Sequence, residues 1–164
     1  FVLLNAAATA TTVRATFSNT VFYPGIAVVE VKGIVTSSAI AGEALQTQAT
    51  PGTGTDGVSS GNTGTLTGQP AAIIAGTQNT ATNSTPAVGT GYTSIGTGWD
   101  YGGGTPGARF EHKRVTSTSA VAGTFTAGTN VEHQTIAVAL LETGGGGGTP
   151  VAVFSYHYGQ QGIQ

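Results

Sequence analysis

The sequence predicts an all-β fold, an antiparallel sandwich with long Gly/Thr/Ser loops. Three observations carry that expectation. Only 7% of the 164 residues are Asp, Glu, Lys or Arg, against about 25% in ordinary soluble domains. Helix surfaces are built from Glu, Lys, Gln and Arg, so the chain lacks the residues that would clothe helices. Apolar residues make up 38% of the chain, enough for a core. They fall in short runs parted by Gly, Thr, Asn and Pro, the spacing of strands and turns. Val and Thr, which fit a pleated surface, fill many of those runs.

The elements follow in order. Phe1–Leu4 reads as the end of a strand. Residues 11–19 alternate, with Val13, Ala15 and Phe17 on one face and Arg14, Thr16 and Ser18 on the other, the period of a half-buried strand. Pro24-Gly25 marks a turn. Ile26–Val31 is apolar on both faces until Glu30 and reads as a central strand. Residues 39–47 fit either one helical turn or an irregular strand, and the pattern leaves both open. Pro51–Gly68 reads as a polar loop with little to bury, and Ala71–Ala75 as a short buried strand. Thr77–Thr90 reads as a surface loop. Residues 92–99 form a strand carrying Tyr92, Ile95 and Trp99, and Gly102–Gly104 with Pro106 form a turn. Residues 108–117 alternate charged with less polar residues and read as an exposed or edge strand, where charge discourages aggregation. Ser119–Ala127 and Gln134–Glu142 are the last strong strands.

Five consecutive glycines, Gly144–Gly148, read as a flexible linker. The expected organisation is a sandwich over 1–143, a linker over 144–149 and a C-terminal strand or arm over 150–164. Val151, Val153, Phe154, Tyr156 and Tyr158 give that arm an apolar, aromatic face suited to pairing with a neighbouring subunit's sheet edge. Folding back as the last strand of its own sandwich is the alternative. Two segments also echo each other. Thr11–Phe17 parallels Ser119–Phe125, and Ile26–Glu30 parallels Ile136–Glu142. About 110 residues separate the copies, far beyond a solenoid period, so two hairpin-like units in one sandwich are expected.

The segment Asn5–Phe17, the strand Ala27–Gly33 and the closing Thr135–Glu142 together resemble a jelly-roll-like β-sandwich domain of secreted bacterial and phage structural proteins. The resemblance spans roughly residues 1–142. It implies architecture and surface display, with no catalytic residues to carry over. It also implies further strands ahead of Asn5, lost or supplied by another chain or by the 151–158 segment. A start at Phe1 in place of an initiator, and no Met anywhere, carry the same expectation of a processed or partial N-terminus.

Several function classes lose ground on composition. Five Lys and Arg cannot supply the clustered cations of electrostatic nucleic-acid binding. No apolar run nears the roughly 20 residues of a membrane helix. No Cys is present, which removes disulfides and thiolate metal sites. Gly57-Val-Ser-Ser-Gly61 matches a nucleophile-elbow pattern, with Ser59, Asp100 and His133 in hydrolase order, but no helix pattern follows it. Gly52–Gly57 matches G-x-G-x-x-G without the strand and helix that a dinucleotide site requires. His112, Glu132 and His133 are conceivable zinc ligands, and Asp56 and Asp100 are too few for a calcium cage. Glu30 and Glu142 end the two echoed strands. They resemble a glycosidase pair less than they resemble strand ends reaching solvent. Asn83-Ser-Thr85 is a glycosylation sequon, relevant only in a eukaryotic secretory setting.

Trp99, Asp100, Tyr101 and Tyr92 form the one aromatic, polar group, set among glycines. Such a group suits stacking on a sugar or filling a partner's pocket. A core Trp with its N–H satisfied accounts for the same pattern. The sequence thus predicts a non-enzymatic structural component of a phage virion or similar extracellular assembly, of capsid-decoration or fibre type. Its expected partners are copies of itself or other surface proteins. No cofactor, metal, nucleic acid or membrane insertion is expected. The alternative is a carbohydrate-binding or adhesive module of a secreted protein.

Overall fold

The computed structural model describes residues 16, 18, 27–48, 57–79, 86–100, 107–127, 132–144 and 153–156. Ten strands are defined: β1 (Ala27–Glu30), β2 (Ile40–Gln48), β3 (Gly57–Ser59), β4 (Ala71–Asn79), β5 (Ala87–Val88), β6 (Thr93–Asp100), β7 (Gly107–Val115), β8 (Thr124–Thr126), β9 (His133–Leu141) and β10 (Val153–Tyr156). No helix occurs among the described residues, so none is long and apolar enough to cross a membrane. A five-stranded sheet runs β2-β9-β4-β7-β6 and a three-stranded sheet runs β3-β8-β5. Every pairing is antiparallel, and β1 with β10 forms a separate two-stranded ribbon. The all-β antiparallel sandwich of the sequence reading is the fold observed.

The pairing is nested. β1 meets β10, β2 meets β9, β3 meets β8 and β4 meets β7. The first half of the chain therefore folds back on the second as one long double strand, and that double strand bends to make two layers. β6 adds to the edge of the large sheet beside β7. It gets there with a register shift between Ile95 and Trp99, where Gly96 and Gly98 take φ of 65° and 74°. Those angles carry a steric penalty for any residue with a Cβ, so the Gly-Thr-Gly spacing is what lets the strand bulge.

The core lies between the two sheets and is made of small residues from the large one. Val58 and Phe125 of the small sheet bury against Ala75 and Ala137, with Ala127 beside them. A second cluster joins Ala41, Leu66, Ala71, Ile73 and Ala139, flanked by Tyr92, Val115, Val121 and Leu141. The sheets come very close at Gly123, where an added Cβ would stand 2.4 Å from the Ala75 Cβ.

Several sequence expectations are corrected. Residues 57–68 are not an empty loop. Val58, Ser60 and Leu66 are buried. Hydrogen bonds from Ser60 N to Gly123 O, Thr63 N to Val121 O and Leu66 N to Thr118 O extend the β3–β8 pairing past its formal ends. The polar composition hid this because the backbone, not the side chains, makes the contacts. The 39–47 segment resolves as strand, with a bulge between Ile40 and Gly42. Thr77–Asn79 belongs to β4 and is not surface loop; Thr77 and Asn79 are buried, and Thr77 Oγ1 lies 2.8 Å from Thr135 Oγ1. β7 is no edge strand, since it lies between β4 and β6. β1 is not central, because its partner is β10 in the ribbon. The second echoed unit is not a hairpin, since β8 and β9 sit in different sheets; the opening strand of the first lies outside the described residues. Residues 1–4 and 11–15 lie outside the described residues.

The outer face of the large sheet carries one row of residues in register across all five strands, with a gap at Gly76. Leu45 opposes Ile136, Ile136 opposes Gly76, Gly76 opposes Phe110 and Phe110 opposes Ile95. Phe110 lies over Gly76, where an added Cβ would come within 2.4 Å of the ring. The half-buried ring can swing aside, so Gly76→Ala is expected to cost only about 1 kcal/mol, the low end for overpacking. Urea-unfolding midpoints of the two proteins check this.

Candidate functional site

Two places concentrate features that packing alone does not require. The first is a polar cluster at the inner face of β7. Alternation along β7 points Arg109, Glu111 and Lys113 toward the small sheet and leaves Phe110, His112 and Arg114 on the outer face. Glu111 is 0% exposed. Its carboxylate accepts the Gly89 N–H at 2.8 Å, just after β5, and the Thr124 N–H at 2.9 Å, at the start of β8. One side chain of the large sheet thus holds two strand ends of the small one. Burial pushes the Glu111 carboxyl above its ordinary 4.5, while the two N–H donors and the Lys113 charge pull it back down in part.

Tyr92 and Lys113 close this cluster. The Lys113 ammonium lies 4.2 Å from the centroid of the Tyr92 ring, within cation–π range. The Tyr92 hydroxyl donates to the Ala122 carbonyl. Burial, with the Glu111 charge adding to it, raises the Tyr92 phenol well above its ordinary value. Tyr92, expected as a ligand-stacking aromatic, therefore has its ring under a cation and its hydroxyl on the backbone. Trp99 and Asp100 occupy the last two positions of β6, where only the backbone is described, and Tyr101 lies outside the described residues.

The other singled-out residues are dispersed. Ser59 lies on β3, its Oγ accepting the Gly61 N–H at 3.1 Å, whereas His133 opens β9 in the other sheet and is fully buried. A nucleophile elbow needs a helix after the serine, and the strand here continues instead into Ser60, paired to Gly123. His112 is on the outer face of β7, whereas Glu132 and His133 stand at the start of β9, with β4 between the two strands. No group of three His, Asp or Glu side chains able to hold a metal occurs among the described residues. Glu142 pairs with Arg114 at 2.6 Å, and Glu30 faces Lys32 at 4.0 Å. Each carboxylate has its own cation. Asp56 and Asn83–Thr85 lie outside the described residues, as do Gly52–Asp56 of the G-x-G-x-x-G match, Val151 and Tyr158. Val153, Phe154 and Tyr156 lie on β10 opposite Glu30, Val29 and Ala27.

The second place is the β2 edge of the large sheet. Leu45 is 72% exposed and Ile136 beside it 53% exposed, adjacent apolar side chains on a strand pair facing outward. Among the described residues no strand pairs with the outer edge of β2. Among the described residues, loop backbone hydrogen-bonds to it near its start, where Thr67 N–H donates to Ala41 O. Periodicity could have flagged this patch. Past Ile40 at its start, Leu45 is the one large apolar residue of β2, and Ile136 follows Gln134 on the same face. No family model, no curated protein and no solved structure matches this chain.

Proposed function

We propose that the protein is a non-enzymatic structural component of a virion surface or a comparable extracellular assembly, with a jelly-roll sandwich that packs against other subunits. The exposed Leu45–Ile136 pair, beside a strand edge that no strand among the described residues pairs with, carries this reading. Isolated surface apolar residues are ordinary, but two large ones in register next to an open edge form the kind of surface that associates. The nested pairing of β2 with β9, β3 with β8 and β4 with β7 is what a jelly roll would have. Its fourth pair would be β5 with β6, where β6 instead joins β7. Low charge supports the same reading. A net charge of −2 over 164 residues gives copies little long-range repulsion.

Mass by light scattering over rising protein concentration tests the reading. The intact chain is expected to form multimers, and Leu45→Lys with Ile136→Lys is expected to shift the mass toward the monomer while the β circular-dichroism signal persists. An intact chain that stays monomeric throughout overturns it.

A further inference from the structure

We infer that the β2 edge pairs with the β2 edge of a second copy, antiparallel about a two-fold axis, with Leu45 facing its own counterpart across the axis. The inference rests on the assembly reading above and names the partner.

Symmetry narrows the choice first. A strand that pairs with its own copy about a perpendicular dyad must run antiparallel, and the contact closes as a dimer. Residues that oppose each other in such a ladder share a face, so the outer-face residues Glu43, Leu45 and Thr47 can meet only one another or their flanks. Register narrows it further. Centring on Glu43 sets two carboxylates directly opposite, which is destabilising. Centring on Ala44 sets Glu43 against Leu45, a charge against an apolar side chain. Centring on Gln46 sets Leu45 against Thr47. Centring on Leu45 sets Leu45 against Leu45 and Glu43, the only charged residue of β2, against Thr47.

That register also continues what the sheet already contains. The outer-face row ends at Ile136 and Leu45. Placing Leu45 on the axis extends it as Ile136–Leu45–Leu45–Ile136, so four exposed apolar side chains cover one another. The bulge between Ile40 and Gly42, with the Thr67 N–H on the Ala41 carbonyl, closes only the start of the strand. Among the described residues, Glu43–Gln48 remains a regular edge long enough to make a ladder.

Cysteine cross-linking tests the register, because the chain has no cysteine of its own. Leu45→Cys brings two thiols face to face on the axis, within reach of a disulfide. Thr47→Cys, also exposed and on the same face, is the control. In this register its two copies stand four positions apart, roughly 14 Å along the strands at ~3.4 Å per residue. Under mild oxidation Leu45→Cys is expected to cross-link roughly tenfold or more over Thr47→Cys, given the distance limits of a disulfide. The double variant Glu43→Cys with Thr47→Cys is expected to cross-link as readily as Leu45→Cys. Equal cross-linking of Leu45→Cys and Thr47→Cys in a chain that light scattering shows to be multimeric overturns the β2 pairing and leaves the assembly reading standing. A monomeric intact chain overturns both.

Discussion

Gly123→Ala is expected to destabilise the protein by about 2–3 kcal/mol, the upper part of the range for overpacking a filled core. An alanine Cβ built at Gly123 stands 2.4 Å from the Ala75 Cβ and 3.4 Å from the Ala137 Cβ. Neither neighbour can yield by turning a side chain, because a Cβ is fixed to its backbone. Relief requires the segment before β8 to move away from the large sheet. That movement would strain the Ser60 N–H to Gly123 O bond at 3.0 Å and the Gly123 N–H to Ser60 Oγ bond at 2.9 Å. It would also open the Val58–Phe125 contact with Ala75 and Ala137. Urea-unfolding midpoints measure the loss. Ala75→Gly should restore most of it in the double variant. A glycine in a strand costs roughly 0.5–1 kcal/mol by itself, so the two changes should combine to less than the sum of their single losses. A loss below about 0.5 kcal/mol for Gly123→Ala, the size of an ordinary surface change, would show that the sheets do not meet there.

How much of this could be read from the sequence follows from which groups make the contacts. Alternating or continuous apolar runs marked β6, β9 and the first half of β4 close to their observed places, because burial of side chains writes itself into the residue pattern. The 57–66 segment left no such trace. Its partners are main-chain groups of residues 118–126, and a backbone pairs equally well under Gly, Ser, Thr or Val. β7 misled for a related reason. Arg109, Glu111 and Lys113 look like a solvated face, yet Glu111 is buried because two N–H groups brought in from Gly89 and Thr124 satisfy it. Both donors are distant in sequence, and nothing local announces them. At the proposed association surface Leu45 is legible as an apolar residue among polar ones. Its opposition to Ile136 is not, because that depends on the β2–β9 register. Neither the aromatic group at Tyr92 nor the serine and histidine matches pointed to the inter-sheet carboxylate.

Glu111 should govern both stability and its pH dependence. Glu111→Leu fills the site with an apolar side chain but strands the Gly89 and Thr124 N–H groups in the interior. Each buried donor left without a partner costs about 1–3 kcal/mol. The expected loss is therefore about 2–5 kcal/mol at neutral pH, reduced somewhat because the buried charge and its desolvation disappear as well. The pH profile separates these two contributions. Burial raises the folded carboxyl above its ordinary 4.5 more than the two donors and Lys113 lower it, so the folded protein holds this proton more tightly than the unfolded chain. The resulting stability is fully present below about 4.5 and is lost as pH rises through the raised folded value. Equilibrium unfolding followed across that window should show the wild type losing stability relative to Glu111→Gln, whose amide does not titrate. Glu111→Gln should itself be less stable, because its NH₂ faces one of the two N–H donors and only its oxygen can accept. A pH profile shared by the wild type and Glu111→Gln would mean that the carboxylate is not held in the desolvated position between the sheets. A flat profile with a large loss in Glu111→Leu would instead mean that the tie between β7 and the ends of β5 and β8 operates without a titration shift.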